Sequence, residues 1–268
     1  TRVMVGNTPS NGVGIGMIRA SREITEKLAA LGPREHLYSP ETQALYDEQV
    51  GQNARDAARF GVCAYNLGDE CGYSTEAGFS PADNATYYPA FLKEKYGRIE
   101  VYNAAGGTRY ARFEDVPRMT PAAAKEADNP QAWYDQIQYA EKLYADAFKI
   151  LSRIIKKHDP SARVGAEGSN AGDLELTVDG LEFWGPYRNV VMDELLRNIA
   201  PNHLRGTWWG GYSSNPRDGF PQNWEYLLTG TINCDEWFTI LPGDAHSAHA
   251  DDFSFLPYVE MMIGHLRD

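Results

Sequence analysis

Residues 61–70 read Gly-Val-Cys-Ala-Tyr-Asn-Leu-Gly-Asp-Glu. A short apolar run, Val62 to Leu67, ends abruptly in two adjacent carboxylates. The run is long enough to cross a core as a strand and too short for a helix. Gly68 then opens a loop, and Asp69 and Glu70 stand at the carboxyl end of the strand. In α/β barrels and open α/β sheets that end carries the chemistry. A carboxyl group at the rim of a low-dielectric site can be held protonated near neutral pH by desolvation, which is what a general acid requires. The bland alternative is a solvated acidic turn.

The rest of the chain supplies the context for that strand. At 268 residues it can bury a substantial core as one domain. The formal net charge of -12 repels phosphate backbones, which excludes nucleic acid and anionic membranes as expected partners. The cationic run Lys156-Lys157-His158 fits a helix end, where it suits the dipole. No apolar stretch is long enough to cross a membrane as a helix. The three cysteines, Cys63, Cys71 and Cys234, form no CxxC pair, so neither a disulfide framework nor a zinc site is indicated. Cys63 and Cys71 are expected to be buried. Asn84-Ala85-Thr86 fits a glycosylation sequon.

Thr1 to Val5 reads as a strand, followed by a glycine-rich loop that holds Asn7. Gly12, Gly14 and Gly16 do not complete a dinucleotide fingerprint and are read as turn formers. Helices are expected over Ser21–Leu31 and Ser39–Arg59, then the strand ending before Glu70. Residues 71–88 are expected as one long polar loop, 89–97 as a short helix, and 98–116 as mostly irregular. Asn129-Pro130 opens the clearest helix, with an apolar stripe through Ile137, Ala140, Leu143, Tyr144, Ala147, Leu151, Ile154 and Ile155 that stops near His158-Asp159-Pro160. Strands follow at Ala162–Gly168, Leu181–Tyr187, Leu204–Tyr212 and Thr231–Ile240. Helices are expected at Val190–Ile199, Asn223–Leu228 and Pro257–Leu266. Strands alternating with helices predict an α/β fold with a parallel sheet.

Four stretches carry a family resemblance: residues 39–60, YNLGDE at 65–70, FLKEKYGRIEVYNAAGGTRY at 91–110, and the helix and strand at 129–165. From Pro33 to Trp237 their order resembles the catalytic domain of glycoside hydrolase family 42 β-galactosidases, within the clan of (β/α)8 TIM-type barrels. The resemblance implies that Glu70 is the general acid/base at the end of the family's fourth strand. It also implies that Thr1–Val5 corresponds to strand three, so that the barrel is incomplete in this chain and its first two βα units are missing. Residues 1–268 would then be a single barrel domain running from strand three to helix eight. The remainder would come from the same polypeptide, or a homo-oligomer would complete the site.

Two departures from the family pattern matter. Asp69 replaces the asparagine that usually binds the sugar 2-hydroxyl; a carboxylate can accept the same bond, and its charge would raise the pKa of Glu70. The segment matching strand seven, residues 206–214, has no carboxylate where the clan keeps its nucleophile. The candidates for the second carboxylate are Glu236, Asp235 and Glu167, with Glu236 preferred. Alternation lets only one of Asp235 and Glu236 face inward.

Aromatic residues are plentiful, with 16 Tyr and 6 Trp, and flat rings stack on sugars. Trp209, Trp237 and Tyr187 are weighed as stacking residues against core packing; Trp133 reads as helix surface. The substrate-binding set is Asp69, Asn7, Glu167, Tyr187, Trp209, Asp235 and Trp237, with Glu70 and Glu236 catalytic. His246 and His249 stand among Asp244, Asp251 and Asp252 but match no ligand spacing, so no metal and no cofactor is expected. The expected function is hydrolysis of a β-linked galactoside-like sugar. The alternatives are a degenerate barrel that binds carbohydrate without cleaving it, and a Rossmann-like or flavodoxin-like binding module.

Overall fold

In the computed structural model, residues 3–5, 22–68, 71–73, 75, 81–161, 163–167, 172–185, 190–210, 228 and 233–237 are described. The expected helices at 223–228 and 257–266 lie outside them, save Leu228. Among the described residues there are six strands, and helices stand between them as far as β5: β1 (Val3–Val5), β2 (Val62–Asn66), β3 (Arg163–Glu167), β4 (Phe183–Gly185), β5 (Leu204–Gly210) and β6 (Asn233–Trp237). They pair in chain order, every neighbour parallel. Parallel neighbours need crossover connections, and among the described residues helices supply those between β1 and β5. These are α1 (Arg22–Leu31), α2 (Pro40–Tyr46), α3 (Gln52–Ala58), α4 (Tyr88–Tyr96), α5 (Ile99–Gly106), α6 (Pro121–Glu126), α7 (Pro130–His158), α8 (Leu174–Val178) and α9 (Val190–Ile199). A π-helical turn, Asp47–Gly51, joins α2 to α3.

β2 is entered through Gly61, whose φ of 69° lies in the left-handed region that favours glycine. Tyr65 and Leu67 face the helical layer. The Tyr65 hydroxyl donates to Asp159 Oδ2 at 2.9 Å, just past the end of α7. Leu67 is buried in the same layer. Alternation puts Ala64 and Asn66 on the opposite face. In β3, Val164 and Ala166 join the helix-facing core, and in β4 so does Trp184. Phe183 is on the other side of β4, its ring lying where a side chain on Gly165 would go.

α7 is the main support of the sheet. Asn129 caps it, accepting from the Ala132 N–H at 3.0 Å. Tyr144, Ala147, Phe148, Ile150, Leu151 and Ile155 bury its inner face against the helix-facing side of the strands. Each large apolar side chain buried there contributes about 1.5–3 kcal/mol. Trp184 is 1% exposed and meets the Phe148 ring edge-on, so it is core.

The sequence expectations need three corrections. Residues 98–116 are not mostly irregular: α5 occupies Ile99–Gly106, and a 3-10 turn follows at Phe113–Asp115. The Asn103 side chain makes this possible by binding the returning chain at both the Tyr110 carbonyl (2.8 Å) and the Tyr110 N–H (2.9 Å). Residues 71–88 are not one loop, because the chain is helical from Pro81 and passes through a π-helical turn, Asp83–Tyr87, into α4. Short helices α6 and α8, capped by Thr120 and Asp173, stand where none was expected. Of the expected strand positions that are described, Leu67, Leu181 and Glu182 lie outside the strands; the other expected strand ends lie outside the described residues. Asn84 of the sequon is exposed.

Candidate active site

Asn66 closes β2 and is fully buried. Its Oδ1 accepts from the Gly68 N–H at 3.0 Å, a local turn that an Asn side chain can make two residues on. The Leu67 N–H still pairs with the Gly165 carbonyl at 2.7 Å. The chain therefore leaves the sheet at Gly68, as the sequence implied. Asp69 and Glu70 lie outside the described residues, and so do Asn7 and Tyr187.

The backbone places Glu167, Trp209, Glu236 and Trp237 among the last two residues of their strands and Asp235 at the middle of β6. Glu167 is the last residue of β3, two residues on from Gly165, and its Cα partner in β4 is Gly185. Between β5 and β6 the register pairs Trp208 with Asp235, Trp209 with Glu236, and Gly210 with Trp237. Because every strand runs the same way, these positions share one edge of the sheet with the end of β2.

Other expected features are core or surface. Cys71 is buried, and Trp133 is half exposed on α7.

The sequence reading missed the polar groups that hold the chain after β2. The Tyr144 hydroxyl donates to the Cys71 carbonyl at 3.0 Å. The Tyr73 hydroxyl donates to Glu141 Oε1 at 3.2 Å. The Gln136 amide donates to the Thr75 carbonyl. Burial pushes the Tyr73 phenol up to about 12, and the Glu141 charge adds to the shift. Burial also raises the Glu141 carboxyl; the Tyr73 hydroxyl opposes that and the Asp173 charge reinforces it.

Behind this segment lies a buried ionic knot. Arg118 pairs with Asp83, and both side chains are almost wholly buried. Asp83 also accepts from the Tyr139 hydroxyl. His36 Nδ1 accepts from the Tyr38 N–H at 3.2 Å, so its Nε2 carries the proton and donates to Asp83 Oδ1 at 3.1 Å. The His36 ring stacks on Tyr87 at 4.0 Å. No substrate reaches a carboxylate enclosed like this, so the knot is structural. Its trace in the sequence is Gln136 and Tyr139 on the buried side of α7, where Asp135 is buried as well.

No protein-family model matches the chain, and no curated protein matches it. Solved structures do. The β-galactosidase from the psychrophilic Marinomonas ef1 aligns with a TM-score of 0.68 at 12% identity, covering 99% of this chain and 49% of that one. The β-galactosidase from Bacillus circulans sp. alkalophilus aligns at 0.65 and 11% identity, covering 87% and 40%. The catalytic domain of the β-amylase from Paenibacillus polymyxa aligns at 0.55 and 11% identity, covering 85% and 69%. The chain has the fold of these glycoside hydrolases. It spans about half or less of the length of the two β-galactosidases.

Proposed function

We propose that this chain is the larger part of a (β/α)8 barrel of the family 42 β-galactosidase type and takes part in hydrolysing a β-linked galactoside-like sugar. Glu70 protonates the glycosidic oxygen. Asp69 binds the sugar 2-hydroxyl. Glu236 is the second carboxylate, either nucleophile or base. Asn7, Glu167, Asp235, Tyr187, Trp209 and Trp237 line the sugar site. The observation that carries the reading is the order of the sheet: among the described residues six parallel strands in sequence, with acidic or Trp positions toward the carboxyl ends of β3, β5 and β6. The likeness to two β-galactosidases supports the same reading.

The distances the chemistry requires make barrel closure part of the proposal. A retaining glycosidase needs its two carboxyl groups about 5–5.5 Å apart, an inverting one about 6.5–9.5 Å. β2 and β6 are four strand spacings apart, which on a flat sheet is about 19 Å. Only a curled sheet brings Glu236 opposite the end of β2. On a flat sheet Glu167, one strand away, would be the nearer partner.

The test is hydrolysis of a panel of β-linked glycosides by the chain and by Glu70→Gln, Glu236→Gln and Glu167→Gln. Loss of the general acid lowers the rate by about 10²–10⁴-fold on a poor leaving group. Undiminished cleavage by Glu70→Gln overturns the assignment. Binding of the sugars without any turnover transfers the case to a carbohydrate-binding barrel. Which of the other two variants is inactive identifies the second carboxylate.

A further inference from the structure

We propose that α7 is a positioning rail for the general acid, with Tyr144 as its key residue. This rests on the reading of Glu70 given above. Covalently, Cys71 is the next residue after Glu70, and its carbonyl oxygen accepts a hydrogen bond from α7. Three contacts then follow at alternate residues. Cys71 is held by Tyr144, Tyr73 by Glu141, and Thr75 by Gln136. As the chain advances from 71 to 75, its partners retreat along α7 from 144 to 136. The order of the partners along α7 is thus opposite to the order of the residues they hold.

The rail is also fixed in register. Gln136 Oε1 accepts from Arg118 Nε at 3.1 Å and from Nη2 at 2.7 Å. That leaves the Gln136 NH2 group to face the Thr75 carbonyl, so the amide has one orientation. Arg118 is anchored in turn by Asp83.

Packing alone does not explain Tyr144. Its ring meets Phe148 edge-on at 5.1 Å and Tyr73 at 5.4 Å, contacts that a phenylalanine would also make. The hydroxyl adds the bond to the Cys71 carbonyl, a buried backbone acceptor. Fixing the Cys71–Gly72 peptide, the second beyond Glu70, limits how far the Glu70 carboxyl strays from the leaving-group oxygen. Misplacement of about 1 Å can cost 10²-fold in rate.

The experiment compares the chain with Tyr144→Phe on two β-galactosides. One has an alkyl leaving group that needs a proton; the other has a dinitrophenyl group that does not. Tyr144→Phe is expected to lower kcat about tenfold or more on the alkyl galactoside. KM stays within about twofold, and the dinitrophenyl rate is nearly unchanged. Amide hydrogen exchange across 71–75 is expected to quicken about tenfold, the equivalent of one lost hydrogen bond. Equal losses on both substrates, or unchanged exchange, overturn the proposal. If Tyr144→Phe does not fold, Tyr73→Phe removes a neighbouring contact and is read in the same way. Glu70→Gln separates the two failures. If it spares the alkyl galactoside, the reading of Glu70 has failed. If it alone is selectively impaired, only the rail has failed.

Discussion

Arg118 and Asp83 form an ion pair whose side chains are 1% and 0% exposed. The guanidinium also lies over the Tyr139 ring at 4.9 Å and the Tyr88 ring at 5.0 Å, so its charge sits between aromatic faces and the Asp83 carboxylate. Removing one partner of such a pair leaves a charge buried without its counter-ion, which costs about 3–5 kcal/mol. Asp83→Ala is therefore expected to lower the urea midpoint by that equivalent at unchanged m-value. The double variant Asp83→Leu/Arg118→Leu should lose less than the sum of the two single changes, because it removes both charges together. Additive losses would show that the pair is not coupled.

Glu182 gives a pH-dependent prediction. It stands just before β4 and accepts from Lys156 Nζ at 2.6 Å, Arg163 Nη1 at 3.1 Å and the Val164 N–H at 3.1 Å. Burial raises its pKa, but these donors outweigh burial and hold the carboxyl below its ordinary value. A carboxyl depressed in the folded state contributes stability above its unfolded pKa, near 4.5, and loses it as pH falls through the lower folded value. Glu182→Gln should thus melt below the parent at pH 7, by the equivalent of about 1–2 kcal/mol. The gap should narrow as pH is lowered from 5 toward 3. A gap that is constant with pH would mean that shape, not charge, matters at this position.

Glu141 should behave with the opposite sign. Burial holds its carboxyl above the ordinary value, so the folded state binds a proton more readily than the unfolded one. Such a group costs stability once pH rises through the folded value, and costs nothing below the unfolded value near 4.5. Glu141→Gln retains an acceptor for the Tyr73 hydroxyl and removes the charge. Its melting temperature at pH 7 should equal or exceed that of the parent, and any gain should vanish as pH falls below about 4.5. A large loss of stability at pH 7 would show that the charge, rather than the acceptor, holds Tyr73.

What the sequence disclosed and what it hid divide along the range of the contacts. β2 was legible because glycines bound an apolar run, and α7 because Asn129-Pro130 caps one long stripe. Both signals are local. The helical start of the 81–96 segment was hidden because Asp83 is held by Arg118, 35 residues away, and by Tyr139, 56 away. α5 was hidden because Asn103 binds a chain that returns only after two glycines. At the site, the strand positions of Glu167, Trp209, Asp235, Glu236 and Trp237 followed from flanking turns and alternation. The hold of α7 on residues 71–75 did not. Tyr144 fits an apolar stripe by its ring, and nothing local says that its hydroxyl meets a carbonyl 73 residues earlier.

Gly165 tests the packing inside the sheet, where the ordinary rule for glycine should reverse. Glycine in a strand interior usually costs about 0.5–1 kcal/mol relative to alanine, so replacing it would normally stabilise. Here a Cβ would lie 2.4 Å from the Phe183 ring and 2.4 Å from the Phe183 carbonyl oxygen. The ring can turn, but the carbonyl belongs to the strand paired with β3 at this level, Gly165 and Phe183 being Cα partners. Admitting a methyl group means separating β3 from β4, and overpacking of this kind costs about 1–3 kcal/mol. Gly165→Ala should therefore lower the urea midpoint. Adding Phe183→Leu should recover little of the loss, because the carbonyl stays in place. Full recovery in the double variant would show that the ring is the obstacle and that the strands have room to spare.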